Sequence, residues 1–235
     1  REGLDFKEAL QKLAARAGVE IKEYERETPQ QKEAYENLRK LLEDAIIYYR
    51  SHLFANNDIL NYLREKRGLN DSTIETFGLG YAPAGYDNLL KHFTQRGYSE
   101  QDLIDSGMLS VREDDPSRDT QYATRSFDRF RNRIMIPIRD EQGRMAGFGA
   151  RIVDPNDVPK FLNSPETPIF EKGRELYGLA QARQAVRDQE CVLVVEGYMD
   201  VVRLHQAGVQ YAVATLGTST TPEHLKRAFR LVSEI

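Results

Sequence analysis

A chain of 235 residues, 40% hydrophobic and 30% charged, has enough apolar side chains for one large or two modest cores, which excludes the disordered and fibrous classes. A net charge of -4 excludes a uniformly basic nucleic-acid coat, and the single cysteine, Cys191, excludes an internal disulfide and any multi-cysteine zinc site. The sequence opens on Arg1, with neither a secretory leader nor an apolar run of membrane-spanning length, so it is expected to be cytosolic and part of a longer chain.

Leu4, Leu10, Leu13 and Ala17 recur near helical spacing before Gly18, which predicts a short helix over 4–17. The polar stretch from Glu23 to Gln31 contains Pro29 and predicts a linker. Tyr35, Leu38, Leu41, Leu42, Ala45, Ile46 and Tyr49 then share one face of a long helix. Shorter helices are predicted over 58–66, 86–95 and 99–105, the last with Ser99 as N-cap and Asp102 three residues on. The polar segment from Arg112 to Phe127, with Pro116 inside it, predicts a mobile surface loop.

Arg133-Ile-Met-Ile-Pro-Ile138 and Arg144-Met-Ala-Gly-Phe-Gly-Ala-Arg151 flank Asp140-Glu-Gln-Gly143, the pattern of a β-hairpin whose turn is supplied by glycine. Pro137 predicts an edge strand, because it donates nothing to a ladder. Gly147 and Gly149, either side of Phe148, predict a close backbone approach, a bulge or simply a strained hairpin. From Gly173 the pattern becomes helix 174–187, strand 191–195, helix 198–206, strand 211–214 and helix 222–232, which predicts a parallel βαβ unit. The strand CVLVV reads as buried on both faces, with Cys191 a small core residue.

Glu196 ends that strand and Asp200 follows four residues later, so both carboxylates face the mouth of the sheet, where α/β folds bind ligands. Magnesium suits such a pair; for a lone E-x-x-x-D, a helix cap plus a solvated first-turn acid is the commoner outcome. Ala214-Thr-Leu-Gly-Thr-Ser-Thr-Thr221 offers backbone N–H groups to a phosphate or, equally, an N-cap to the next helix. Arg125 to Arg151 holds seven arginines against three acids, a surplus of four positive charges on a chain of net -4, so the rest sums to -8. Strand spacing puts Arg129, Arg131 and Arg133 on one side, a same-sign row that needs an anion such as phosphate. Lys160, Asn163 and Lys172 lie in a polar, proline-held segment entering the βαβ unit, where solvated lysines are the simplest reading.

RFRNRIMIPIRDEQGRMAGFGAR (129–151), PKFLNSPETPIFEKGRELYGL (159–179) and VEGYMDVVRLHQAG followed by ATLGTS (195–219) resemble, in this order, the RNA-polymerase core of bacterial DnaG-type primases. The resemblance spans nearly the whole chain and implies an α/β (α+β) fold. A helical remnant of a zinc-binding module and linker would occupy 1–27. A basic, helix-rich subdomain with a β-hairpin in a mixed sheet would occupy 28–187, and an incomplete, parallel-sheet Toprim domain 188–235. It implies Glu196 and Lys160 as catalytic residues, Glu196 and Asp200 at a Mg2+ (or Mn2+) site, and Arg129, Arg131, Arg133, Arg151, Lys160, Asn163 and Lys172 lining a cleft for template and nucleotide. Zinc is expected only in the preceding module. The implied partners are a single-stranded DNA template, ribonucleoside triphosphates and an RNA primer, with a replicative helicase met through a C-terminal region beyond this sequence, and no membrane. The implied setting is the cytoplasm of a bacterium, at the replication fork. The D-x-D strand of the family would follow Ile235, so the 235 residues alone are expected to bind single-stranded DNA weakly without making primers. Ala150 replaces the second glycine of GFGGR and leaves Arg151 in place. The competing classes are a Toprim nuclease or topoisomerase, which leaves the arginine hairpin unexplained, and a purely nucleic-acid-binding module.

Overall fold

Pro29 opens a helix rather than a linker. In the computed structural model, which describes residues 12–14, 16, 28–112, 126–217 and 219–232, α1 runs Pro29–Phe54. Proline tolerates the first helical position because its missing N–H would have no partner there, and Thr28 and Gln31 exchange hydrogen bonds across the start. Two compact units divide the chain, Arg1–Ala34 and Tyr35–Ile235. In the first, 12–14 and 16 are helical; the rest of the predicted helix over 4–17 lies outside the described residues.

In the second unit the apolar face of α1 is buried from Leu38 to Tyr49 as its spacing predicts, with Tyr48 and Leu53 added and Tyr35 only half-buried. α2 (Asn57–Asn61) is capped by Asn56 and continues as a single π-helical turn over Tyr62–Lys66. α3 (Asp71–Thr76), which is too short to show a period, is announced only by its cap, Asn70, whose side chain accepts from the Thr73 N–H at 2.8 Å. β1 (Gly80–Ala82) follows. α4 (Asn88–Thr94) is shorter than predicted, because the Asp128 carboxylate arrives from outside and accepts from the Leu89 and Leu90 N–H groups at 2.8 and 3.1 Å. α5 (Glu100–Asp105) carries the Ser99–Asp102 capping box expected of it. β2 (Leu109–Val111) and β3 (Ser126–Asp128) form an antiparallel pair at the ends of the predicted loop, of which 113–125 lie outside the described residues.

The predicted hairpin is β4 (Arg133–Arg139) and β5 (Met145–Ile152), which with β6 (Phe161–Asn163) makes a sheet of order β1-β4-β5-β6. Pro137 is therefore not on an edge strand. Phe148, its partner across the ladder, turns its N–H and C=O toward Ser164, so the Pro137–Phe148 pair is the non-hydrogen-bonded kind and the missing N–H faces the β1 side. The three-residue β1 ends at Gly80↔Met135, short of that point.

Both faces of this sheet are covered, which explains the unbroken burial of β4 from Arg133 to Ile138. Met135, Phe148 and Ala150 pack with Leu41, Leu42, Ala45 and Tyr49 of α1. Ile134, Ile136 and Ile138 pack on the other face with Phe170, Tyr177, Tyr198 and Val201. Fully burying one such side chain stabilises by about 1.5–3 kcal/mol. Gly149 makes the second contact possible, because a Cβ there would lie 2.7 Å from the Tyr198 ring. Of the readings left open for the paired glycines, close approach is the one found at Gly149.

α6 (Leu179–Gln189) starts later than predicted, since Tyr177 bridges to Ala214 and Gly178 adopts φ 82°. β7 (Leu193–Val195) and β8 (Ala212–Ala214) pair in parallel through the crossover helix α7 (Tyr198–Gln206), as the βαβ pattern predicts, and α8 (Pro222–Phe229) follows. β7 is not buried on both faces: Leu193 is 38% exposed and Cys191 is half-buried. No described helix is long and apolar enough to cross a membrane.

Candidate nucleic-acid interface

The arginines concentrated between 125 and 151 fall into two groups by partner, with Arg125 outside the described residues. Arg139 forks onto Glu43 at 2.5 and 3.0 Å, and Arg144 meets Asp140 at 2.9 Å. These two are structural ion pairs. Arg129, Arg131, Arg133 and Arg151 have no carboxylate at ion-pair distance among the described residues.

Their partners are neutral. Arg129 donates twice to the Asn163 carbonyl, at 3.1 and 2.9 Å, and once to Ser110. Arg131 donates to the Asp128 carbonyl and lies 4.8 Å over the Tyr86 ring and 5.1 Å over the Phe127 ring. Arg133 is buried and donates to the Pro159 carbonyl at 2.7 Å. Burial pulls the Arg129 guanidinium below its ordinary value. Burial also pulls Arg133 down, with Arg131 adding to it and Asp157 opposing. Carbonyls and rings satisfy N–H groups without cancelling charge, so a positive field persists here. The one-sided row expected for 129, 131 and 133 does not form as drawn: the strand begins only at Arg133, and Asn132, at φ 49°, breaks the alternation before it.

Arg151 and Lys160 meet at an aromatic ring that the sequence reading passed over. Phe161, paired with Arg151 across the ladder, is 44% exposed, with the Arg151 guanidinium 5.0 Å and the Lys160 ammonium 5.7 Å from its centroid. An exposed ring between two cations can stack a base while the cations meet phosphate. The signal was available in Lys160-Phe161, an aromatic beside a lysine in a polar segment. Lys172 contributes its backbone to the fold, its N–H to Glu166 and its C=O to His224, and its side chain is half-exposed.

Glu196 and Asp200 are both exposed beyond β7. The capping alternative fails for Glu196: Gly197 is the N-cap of α7, and no side chain caps it. Both acids offer hard oxygen donors suited to magnesium, but the described residues hold no cluster of three or more His, Cys, Asp or Glu side chains able to bind a metal. The loop after β8 resolves toward capping. Thr221 accepts from the His224 N–H and donates to the Gly173 carbonyl, and Nδ1 of His224 accepts from Thr221, which leaves Nε2 to donate to Lys172. Thr218 lies outside the described residues.

Asn163 joins the two halves of the site. Its Nδ2 donates to the Leu216 carbonyl at 2.8 Å, its Oδ1 accepts from the Tyr198 hydroxyl at 2.5 Å, and its carbonyl receives Arg129. Tyr198 stands two residues after Glu196. A polar cavity of about 450 Å³ lies elsewhere, among Arg39, Asp140, Arg144, Glu175 and Arg227. Its lining sets four arginines against five acids, and each arginine has a carboxylate partner there: Arg39 and Arg144 meet Asp140, Arg174 meets Glu171 and Arg227 meets Glu175.

Comparison with known proteins agrees with this geometry. Residues 48–183 match the model of the DNA primase catalytic core, N-terminal domain, and 190–235 match that of the Toprim domain. The chain is 46% identical to the DNA primase of Pseudomonas aeruginosa over 99% of its own length and 34% of the relative's. It is 44% identical to the Escherichia coli K12 DNA primase over 99% of its length and 39% of that protein's. It therefore spans little more than a third of these relatives. Among solved structures, it is similar to the DnaG primase catalytic domain bound to ssDNA, at 45% identity and a TM-score of 0.74, covering 86% of this chain and 61% of that one. It is also similar to the Aquifex aeolicus primase zinc-binding and RNA-polymerase domains, at 28% identity and a TM-score of 0.75, covering 98% and 53%.

Proposed function

Because the chain belongs to the DNA primase family, we propose that it serves template-directed synthesis of short RNA primers on single-stranded DNA from ribonucleoside triphosphates. The observation that carries this reading is the set of uncancelled cations at the open end of the hairpin, linked through Asn163 to the strand end that bears Glu196. In the reaction a primer 3′ hydroxyl attacks the α-phosphate of the incoming nucleotide and pyrophosphate leaves. The protein's main contribution is to position the reactants and stabilise charge.

Arg129, Arg131, Arg133 and Arg151 hold the template and nucleotide phosphates electrostatically, and Phe161 stacks a base. Lys160 is the catalytic cation beside the reacting phosphate, and Lys172 extends the positive lining. Glu196, the catalytic carboxylate, and Asp200 would hold Mg2+ or Mn2+ through their carboxylate oxygens. A divalent ion bound there offsets charge on the phosphate oxygens. In this reading residues 28–187 are the basic subdomain and 188–235 belong to the Toprim part, and the protein works in the bacterial cytoplasm at the replication fork.

The test is Glu196→Gln in the full-length protein, supplied with template, ribonucleotides and magnesium. Primer synthesis is expected to fall by about 10²–10³-fold or more, with template binding unchanged. Ordinary synthesis by the variant removes Glu196 from the mechanism. Strand cleavage by the wild type in place of RNA formation replaces the primase reading with the nuclease one.

A further inference from the structure

We propose that Tyr198 is a positioning residue, whose hydroxyl latches the arginine-bearing sheet to the strand end that carries Glu196 and so fixes the gap in which the reaction takes place. The catalytic consequence rests on the function proposed above; the latch itself does not.

Tyr198 is the first residue of α7 and follows Glu196 by two positions, so a hold on its ring is a hold on the chain just past the strand end. Gly149 and Asn163 are cross-strand partners on β5 and β6, so they present to the same face of the sheet. The ring lies directly on Gly149, where a Cβ would come within 2.7 Å of two of its carbons and 3.0 Å of its oxygen. Tyr177 meets it edge to face, centroids 4.9 Å apart at 84°. Held between these two, the ring aims its hydroxyl at Asn163.

The direction of that bond is settled by its neighbour. A carbonyl can only accept, so the Leu216 carbonyl draws the Asn163 amide NH2 toward itself and leaves Oδ1 for the Tyr198 hydroxyl. Asn163 thus ties four things together: the Arg129 guanidinium, β6, the first residue of α7 and the loop after β8. Both ends of its amide are engaged within the protein, so its part in the site is to hold the two halves in register.

Phenylalanine at 198 keeps the ring, its burial and its packing, and removes only the latch. The first test reads geometry. Spin labels on cysteines placed at exposed Gln142, on the hairpin, and exposed Arg203, on α7, in a Cys191→Ser background report the distance between the two pieces. Tyr198→Phe is expected to broaden or shift that distance distribution, and an unchanged distribution overturns the latch.

The second test reads catalysis in the full-length protein. Tyr198→Phe is expected to lower kcat for primer synthesis on the order of tenfold to a hundredfold, with template KM and Tm near wild type. Asn163→Ala should cost less in the Tyr198→Phe background than in the wild type, because the bond they share is already gone there while the Leu216 bond is lost in both. Additive losses, or a fall in Tm that accounts for the lost activity, overturn the positioning role. A broadened distance in a protein whose wild type makes no RNA upholds the latch and sinks the primase reading.

Discussion

The two ends of one hairpin use arginine in opposite ways. Near the turn, Arg139 and Arg144 face Glu43 and Asp140, and Asp140 also receives Arg39 at 3.3 Å. At the open end, Arg129 and Arg133 donate to the Asn163 and Pro159 carbonyls, and Arg151 lies against the Phe161 ring. Most donors find an acceptor at both ends, the buried Arg39 Nε and Arg151 Nε being exceptions, but only a carboxylate removes the charge. The turn end is therefore scaffold, and the open end projects a field toward a polyanion.

The largest way to break this contrast is Asp140→Ala. It takes from Arg39, whose side chain is 13% exposed, the nearer of its two carboxylates, leaving the exposed Glu36 at 4.0 Å, and should cost about 3 kcal/mol of stability in a urea melt. Affinity for single-stranded DNA, measured on the folded protein, should stay the same. A matching loss of affinity would erase the distinction between the two ends.

At the other end, Arg151→Ala and Phe161→Leu sharpen it. Removing one phosphate contact should flatten the slope of log affinity against log salt by about 0.7, the value for single strands. Removing the ring should cost about 1–3 kcal/mol of binding and leave that slope unchanged. Titrations at several salt concentrations separate the two. An altered slope for Phe161→Leu would mean that the ring only props its cations.

The smallest effect is on pH. Burial lowers His52; burial, with Arg96 and His52, lowers His92; and burial lowers His205 against its bond to the Ala212 carbonyl. A lowered folded value means the unfolded chain binds more protons, so this stability is complete above about 6.5 and is lost as pH falls through the folded values. Asp128 and Glu175, raised by burial, have the opposite sign and act lower, toward the carboxylate range. Tm should therefore decline gently on acidification from pH 7.5 to about 5.5, in parallel for wild type and Arg151→Ala. A decline in one but not the other would tie the hairpin to the histidines.

Much of the frame was legible in the residues. Asp140–Gly143 announced the hairpin, Ser99 and Asp102 the capping box, and the alternation after Gly173 the parallel βαβ unit. These are local signals, read within a turn or a few residues. Asp128 as the anion of α4 was not legible, because it lies 38 and 39 residues from the N–H groups it serves. Pro137 was misjudged for a related reason: a proline marks a gap in a ladder, but the gap came from the short reach of β1.

The sequence by itself determined where charge would collect and where an acid would end a strand, because covalent order and backbone periodicity are enough for both. Only the tertiary structure decided which arginines keep their charge, that Phe161 stands between two cations, and that Tyr198 and Asn163 bind the halves together. Those outcomes depend on partners brought from distant parts of the chain, and a guanidinium beside a carboxylate is a different electrostatic object from the same group beside a carbonyl.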